Sequence, residues 1–354
     1  MTLLKETIKN IYPQDSESRG KAKERLDQLA LPPWALGDLM DLAIDLAGIC
    51  RSIKPNVTNK AIVTMAGDHG VVEEGVSKFP QEVTPQMVYN FVNGGAGINA
   101  LARQAGADVV VVDMGVAADL SDLAKSGKIL DKKIGNGTNN IAKGPAMSMA
   151  NAIKAVEAGI SIAKDLGKTV DVFGTGDMGI GNTTPSTAIA AVITGKSVEE
   201  LTGRGTGLDD EQLAHKREVV KNILKRNQPD PKNGLEILAQ VGGFEIGGIA
   251  GLILGAASMK KPVVVDGFIS SAGALLAITI EPFARDYIVC AHRSMEPGHR
   301  AMQEKIGCSP LLDLNLRLGE GTGAALAMNL VEAAVAILTE VATFEEAAVA
   351  GADK

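Results

Sequence analysis

Aromatic side chains are scarce: one Trp, three Tyr and seven Phe make up 3% of the 354 residues, against 40 glycines. That balance belongs to sheets whose loops bring backbone close to a small ligand. Cysteine is nearly absent too. Cys50, Cys290 and Cys308 are odd in number, far apart, and form no CxxC or Cys/His ligand spacing. The pattern fits reduced thiols of a cytoplasmic protein and excludes a structural zinc site. No apolar run reaches about 18 residues, and the N-terminal stretch lacks an apolar core, so neither export nor a membrane span is expected. Basic residues do not dominate: 35 Lys and Arg against 42 Asp and Glu give a net charge of -7. They are interleaved rather than striped, which removes nucleic acid as a partner. Repeats and low-complexity tracts are missing as well, against a solenoid or propeller.

What is present is a 45% hydrophobic chain, long enough for one large domain or two smaller ones. Five short apolar runs end abruptly in Gly or polar residues: KAIVTMAGDHG from Lys60, DVVVVDMGV from Asp108, TVDVFGTGDMG from Thr169, PVVVDGFISS from Pro262 and DYIVCAHRS from Asp286. These predict buried parallel strands. Helical patterns lie between them, from Met147, Gln212 and Gly242, so the expected fold is α/β, a doubly wound and mainly parallel sheet. Both chain ends show helical periodicity without strands. They are expected to form a small helical domain, residues 1–54 plus 312–354, beside a large α/β domain of residues 55–311.

In open α/β sheets ligands gather at the carboxyl ends of the strands. Here those ends carry Asp68 and His69, Asp113, Asp177, Asp266, and His292 with Ser294. Gly174 to Gly179 spell a literal GxGxxG, continuing through Gly181, Asn182, Thr183 and Thr184 to a helix expected near Pro185. A dinucleotide site needs a second strand ending in an acidic residue about 20 positions on, and the chain offers none. A phosphate cradle remains, with backbone N–H groups and a helix start facing an anion; a tight turn without a ligand is the plainer alternative. A second glycine loop, Thr202 to Gly207, leads to the helix carrying Lys216, which either meets an anion or sits solvated. Glu320 lies between Gly319 and Gly321 directly before an apolar helix. It is a candidate general base if an apolar surround lifts its pKa, and otherwise a helix cap. Asp68 with His69 reads as an acid/base pair or a structural turn, and the histidines lack metal-ligand spacing.

The stretches AGDHGVVEEGVSKFPQEVTPQM, GTGDMGIGNTTPSTA, VVVDGFISSAGALLA, AHRSMEPGH and LRLGEGTGAALAM, in this order across most of the chain, resemble the nicotinate-nucleotide:dimethylbenzimidazole phosphoribosyltransferase family. The resemblance implies an enzyme that moves the 5-phosphoribosyl group of nicotinate mononucleotide to the lower-ligand base of a cobamide, without metal or redox cofactor. It implies Glu320 as the catalytic base. Gly176, Asp177, Met178, Gly179, Gly181, Asn182 and Thr183, with Gly205, Lys216 and Ser294, would surround the nucleotide. Ser77, Phe79, Pro80, Met87 and Leu318 would line the base pocket. It further implies a homodimer, or a heterodimer with a paralogue as in relatives that activate phenol or p-cresol; a non-catalytic supporting subunit is the remaining alternative. The chain departs from the family's usual pattern in three places: Asp177 stands where many members have Glu, Pro33 to Met40 differ from the common PxGSLGxLE loop, and Phe79 and Met87 are polar in some members.

Overall fold

A computed structural model describes residues 2–205 and 207–350, so Thr206 of the second glycine loop lies outside the described residues. Six strands form one sheet: β1 (Lys60–Gly67), β2 (Ala107–Gly115), β3 (Leu130–Asp131), β4 (Val172–Met178), β5 (Val263–Val265) and β6 (Ile288–Cys290). All pairings are parallel, in the order β3-β2-β1-β4-β5-β6. The five apolar runs are five of these strands. The sixth, β3, has two exposed residues at the sheet edge, too short to leave a hydrophobic signature.

Every residue of β1 is buried, as expected of a strand covered on both faces. Successive side chains point to opposite faces, so Ala61, Val63 and Met65 enter one core while Ile62 and Ala66 enter the other. The first core is sealed by the helices Met149–Leu166, Phe244–Ser258 and Phe268–Ile280. The second is sealed by Val83–Val92, Gly97–Ala105, Asp38–Cys50 and Thr322–Glu340.

The two chain ends meet in that second layer. Thr322–Glu340 packs on Asp38–Cys50, which packs on Ser16–Leu26. Leu29 bridges Thr343 in antiparallel fashion, and Arg25 Nε donates to the Leu338 carbonyl at 2.8 Å. The first helix, Leu3–Ile8, lies instead against Met149–Leu166 on the opposite side of the sheet. Among the described residues one helix, Thr322–Glu340, has the length and apolarity to cross a bilayer, and 61% of that stretch is buried within the fold. Because β2 and β3 lie on one side of β1 and β4 to β6 on the other, the chain reverses direction between β1 and β4. That switch point opens a crevice at the carboxyl ends of the two strands.

Candidate active site

The crevice is a cleft of about 790 Å³ at this end of the sheet. One wall is the segment Asp177 to Thr183; the facing wall runs from Asn315 to Glu320. Ser77, Phe79, Val83 and Met87 also line it, as do Gly205, Ser294 and Glu296. Gly267, Phe268 and His292 form the floor between them. Phe79 and Leu318 are half exposed or more (50% and 61%) and add apolar surface to its lining.

Glu320 is held in an unusual turn. Gly319, Glu320 and Gly321 all have positive φ (85°, 64° and 99°), so the one residue of the three that bears a side chain is the carboxylate. The glycine-rich motif of β4 makes room for this turn. Gly174 and Gly176 are strand residues rather than loop residues. A Cβ on Gly176 would lie 2.3 Å from the Glu320 carbonyl oxygen, so only glycine lets the turn rest on β4. The Glu320 carbonyl accepts from Thr64 Oγ1 at 2.9 Å, and its carboxylate Oε2 accepts from the Ile98 N–H at 3.1 Å. Glu320 therefore caps a helix, but it is Gly97–Ala105, far away in sequence, rather than its own. Burial raises the Glu320 pKa and outweighs the Ile98 N–H, which lowers it; the neighbouring Asp266 raises it further.

Asp177, at the end of β4, is buried. Its Oδ2 accepts from Asn182 Nδ2 at 2.9 Å, while Oδ1 has no partner. Burial, then the charges of Asp266, Glu245 and Glu320, push its pKa well above its ordinary value, against the Asn182 hydrogen bond, which lowers it. Asp266 Oδ2 and Oδ1 accept the Gly321 and Ala324 N–H groups at 3.1 and 3.0 Å, with His292 Nε2 3.6 Å away. Behind the β1 end, His69 Nε2 pairs with Glu245 Oε1 at 2.8 Å, both fully buried, whereas Asp68 accepts the Ala117 N–H at 2.8 Å. The two neighbours thus point to different partners and make no acid/base pair with each other. Among the described residues no group of three or more metal-ligating side chains is assembled.

Two helices begin at the cleft. The helix Thr183–Thr194 starts at Thr183, two residues earlier than the proline suggests, and no side chain caps it. Phe268–Ile280 likewise starts at the cleft without a side-chain cap. The first residues of both helices line the cavity, so the positive ends of two helix dipoles lie beside it. Lys216 is not solvated: it is 1% exposed, and its Nζ donates to Thr183 Oγ1 at 2.7 Å. Burial lowers its pKa to about 8, against a smaller upward pull from Glu296. Ser294 is oriented by a buried histidine, its N–H donating to His299 Nδ1 at 2.8 Å. That leaves the His299 proton on Nε2, which donates to Ser271 Oγ at 2.9 Å.

A family model described as phosphoribosyltransferase matches residues 11–349. The nicotinate-nucleotide:dimethylbenzimidazole phosphoribosyltransferase of Desulfotalea psychrophila is 65% identical over 355 residues, spanning 100% of both chains. That of Syntrophotalea carbinolica is 58% identical over 349 residues and 99% of each. The crystal structure of the enzyme so named from Thermus thermophilus superposes with a TM-score of 0.90 at 45% identity, covering 96% of this chain and 100% of that one. The chain belongs to this family of phosphoribosyltransferases.

Of the positions that the family resemblance singles out, thirteen line one cleft: Asp177, Met178, Gly179, Gly181, Asn182, Thr183, Gly205 and Ser294, with Ser77, Phe79, Met87, Leu318 and Glu320. Three do not. Gly176 sits behind the Glu320 turn, Lys216 reaches the site through Thr183, and Pro80 is exposed outside it. The structure adds residues that the motifs do not announce. Glu296 lines the cleft with Oε2 unpartnered and Oε1 accepting the Gly205 N–H at 3.1 Å. Arg317 reaches the same wall, and Asp266 and His299 hold it from behind. A signal for Asp266 did exist, an acidic residue ending an apolar strand, but nothing in the sequence joins it to Glu320.

Proposed function

We propose that this enzyme transfers the 5-phosphoribosyl group of nicotinate mononucleotide to 5,6-dimethylbenzimidazole, giving the α-riboside 5'-phosphate and free nicotinate for a cobamide's lower ligand. The observation that carries this is Glu320: a buried carboxylate of raised pKa in one cleft with the apolar Phe79, Met87 and Leu318 and with the start of the helix Thr183–Thr194. The benzimidazole ring fits against Phe79, Met87 and Leu318. The nucleotide fits along Asp177 to Thr183, its phosphate at the two helix starts near Gly205, Ser294 and Lys216.

In that pose the ring nitrogen attacks C1' from the face opposite the pyridinium. The C1'–pyridinium bond breaks with its electron pair passing to the leaving nitrogen, and the N–H proton of the base goes to Glu320. The leaving group is already cationic, so alignment and proton removal are the tasks left to the protein. The same base can take a phenolic proton. The reading places the enzyme in the cytoplasm as a homodimer, or with a paralogue as partner, and treats residues 1–54 with 312–354 as a helical unit on the large domain.

Nicotinate release from nicotinate mononucleotide, with dimethylbenzimidazole, phenol or no acceptor, tests the reading. Release dependent on dimethylbenzimidazole is expected. Preference for phenol would move the acceptor, and silence with both would point to a subunit that needs or supports another. Glu320→Gln is expected to lower turnover by about 10²- to 10⁴-fold, the usual contribution of a general base.

A further inference from the structure

We infer that Asp266 is a positioning residue for this reaction: its carboxylate fixes the peptide plane that presents Glu320 and supplies a negative charge against which Glu320 takes up its proton. The inference rests on the transfer chemistry proposed above.

The helix Thr322–Glu340 begins at Gly321, whose φ of 99° few side-chain-bearing residues adopt. A Cβ there would lie 2.4 Å from Ile62 Cγ2. A local Ser or Asp cap is therefore excluded, and the cap comes from another strand. Asp266, just beyond β5 and 1% exposed, gives both oxygens to this helix start, Oδ2 to the Gly321 N–H and Oδ1 to the Ala324 N–H. Its own N–H donates to Thr175 Oγ1 at 3.1 Å, locking it to β4. The Gly321 N–H and the Glu320 carbonyl belong to a single peptide unit, and Thr64 of β1 holds the carbonyl at 2.9 Å. Both polar groups of that unit are thus clamped from different strands, which sets the direction of the Glu320 side chain.

The groups around Glu320 are few. Asp177 faces it from β4, with Glu245 beside Asp177, Asp266 from just beyond β5, and the Ile98 N–H from Gly97–Ala105. His292, beyond β6, stands beside Asp266. An anion at Asp266 opposes ionisation of Glu320, keeping the base proton-avid.

The test uses the whole enzyme with Asp266→Asn and Thr64→Val, reading kcat, KM for nicotinate mononucleotide, and the Glu320 carboxyl titration by ¹³C NMR of glutamate-labelled protein, with Glu320→Gln assigning the signal. Asp266→Asn is expected to lower kcat about 10- to 100-fold, the scale of a misplaced catalytic group. KM should stay within about threefold, and the Glu320 midpoint should move to lower pH, since the opposing charge is gone. Thr64→Val, which changes no charge, should lower kcat and leave the midpoint in place. Folded Asp266→Asn with kcat and midpoint unmoved overturns the inference, as does a KM rise that accounts for the whole loss. If Asp266→Asn does not fold, unchanged kcat in Thr64→Val overturns it. If the wild-type enzyme releases no nicotinate, the proposed reaction fails by itself, and the Glu320 midpoint in Asp266→Asn still decides the role of Asp266.

Discussion

An ammonium withdrawn from water holds its proton less tightly, and Lys216, buried against Thr183, has a pKa of about 8. If it serves the nucleotide phosphate, affinity depends on its charge. KM for nicotinate mononucleotide is expected to rise as the pH passes upward through about 8 while the phosphate stays dianionic. In Lys216→Met the KM should be higher by about 10- to 100-fold, the worth of a charge-assisted hydrogen bond, and nearly flat with pH. Steady-state kinetics from pH 6.5 to 9 would check both. That Lys216 is buried was not legible in the sequence, because the helix Asp210–Asn227 is otherwise rich in exposed charge. Glu320 was legible as a candidate through its two glycines. The capping that proved real joins it to Ile98, a contact that only the sheet brings about.

At the scale of elements, a neutral imidazole is one of the ties that hold the segment from β6 to the helix Gly298–Ile306, the His299 ring accepting the Ser294 N–H. Burial, with His292 and Arg293 adding to it, lowers the His299 pKa to about 3. The unfolded chain, with an ordinary histidine near 6.5, binds the proton first. Below that value the native state is therefore disfavoured by about 1.4 kcal/mol per pH unit, down to about 3. The carboxyls of Asp177, Asp266 and Glu320, whose folded pKa values are raised, act in the opposite sense as the pH falls. Comparing urea midpoints of wild type and His299→Gln at pH 6.5, 5.5 and 4.5 isolates the histidine: the variant is expected to lose less stability on acidification. Five of the six strands were legible because continuous apolar runs mark strands covered on both faces. Their order was not, since the β1 to β4 reversal depends on which helices can cover which face. The glycine motif misled in one respect, for its first two glycines serve packing inside β4 rather than a loop.

At the scale of the molecule, helices from both chain ends share a single apolar core with Ile62, Val172 and Val264 of the sheet. A unit that contributes half of another unit's core cannot melt by itself. Calorimetry is expected to show one transition with equal van't Hoff and calorimetric enthalpies per cooperative unit, and two resolved transitions would show that the terminal helices unfold separately. The helical periodicity of both ends, and the expectation that they pack together, came from the sequence; the Leu29–Thr343 bridge that ties them did not.

The turn at Gly319 to Gly321 sets activity and stability against each other at one position. Glu320 keeps a left-handed backbone that costs an L-residue on the order of 1 kcal/mol, and it keeps a carboxylate out of water besides. Glycine there would relieve both penalties at the loss of the Ile98 cap, so a substitution that eases this turn is one that removes the base. Random change filtered only for a sturdier protein would drift toward silence at this site. A glutamate persisting between two glycines in a descendant sequence is then a record of continued use.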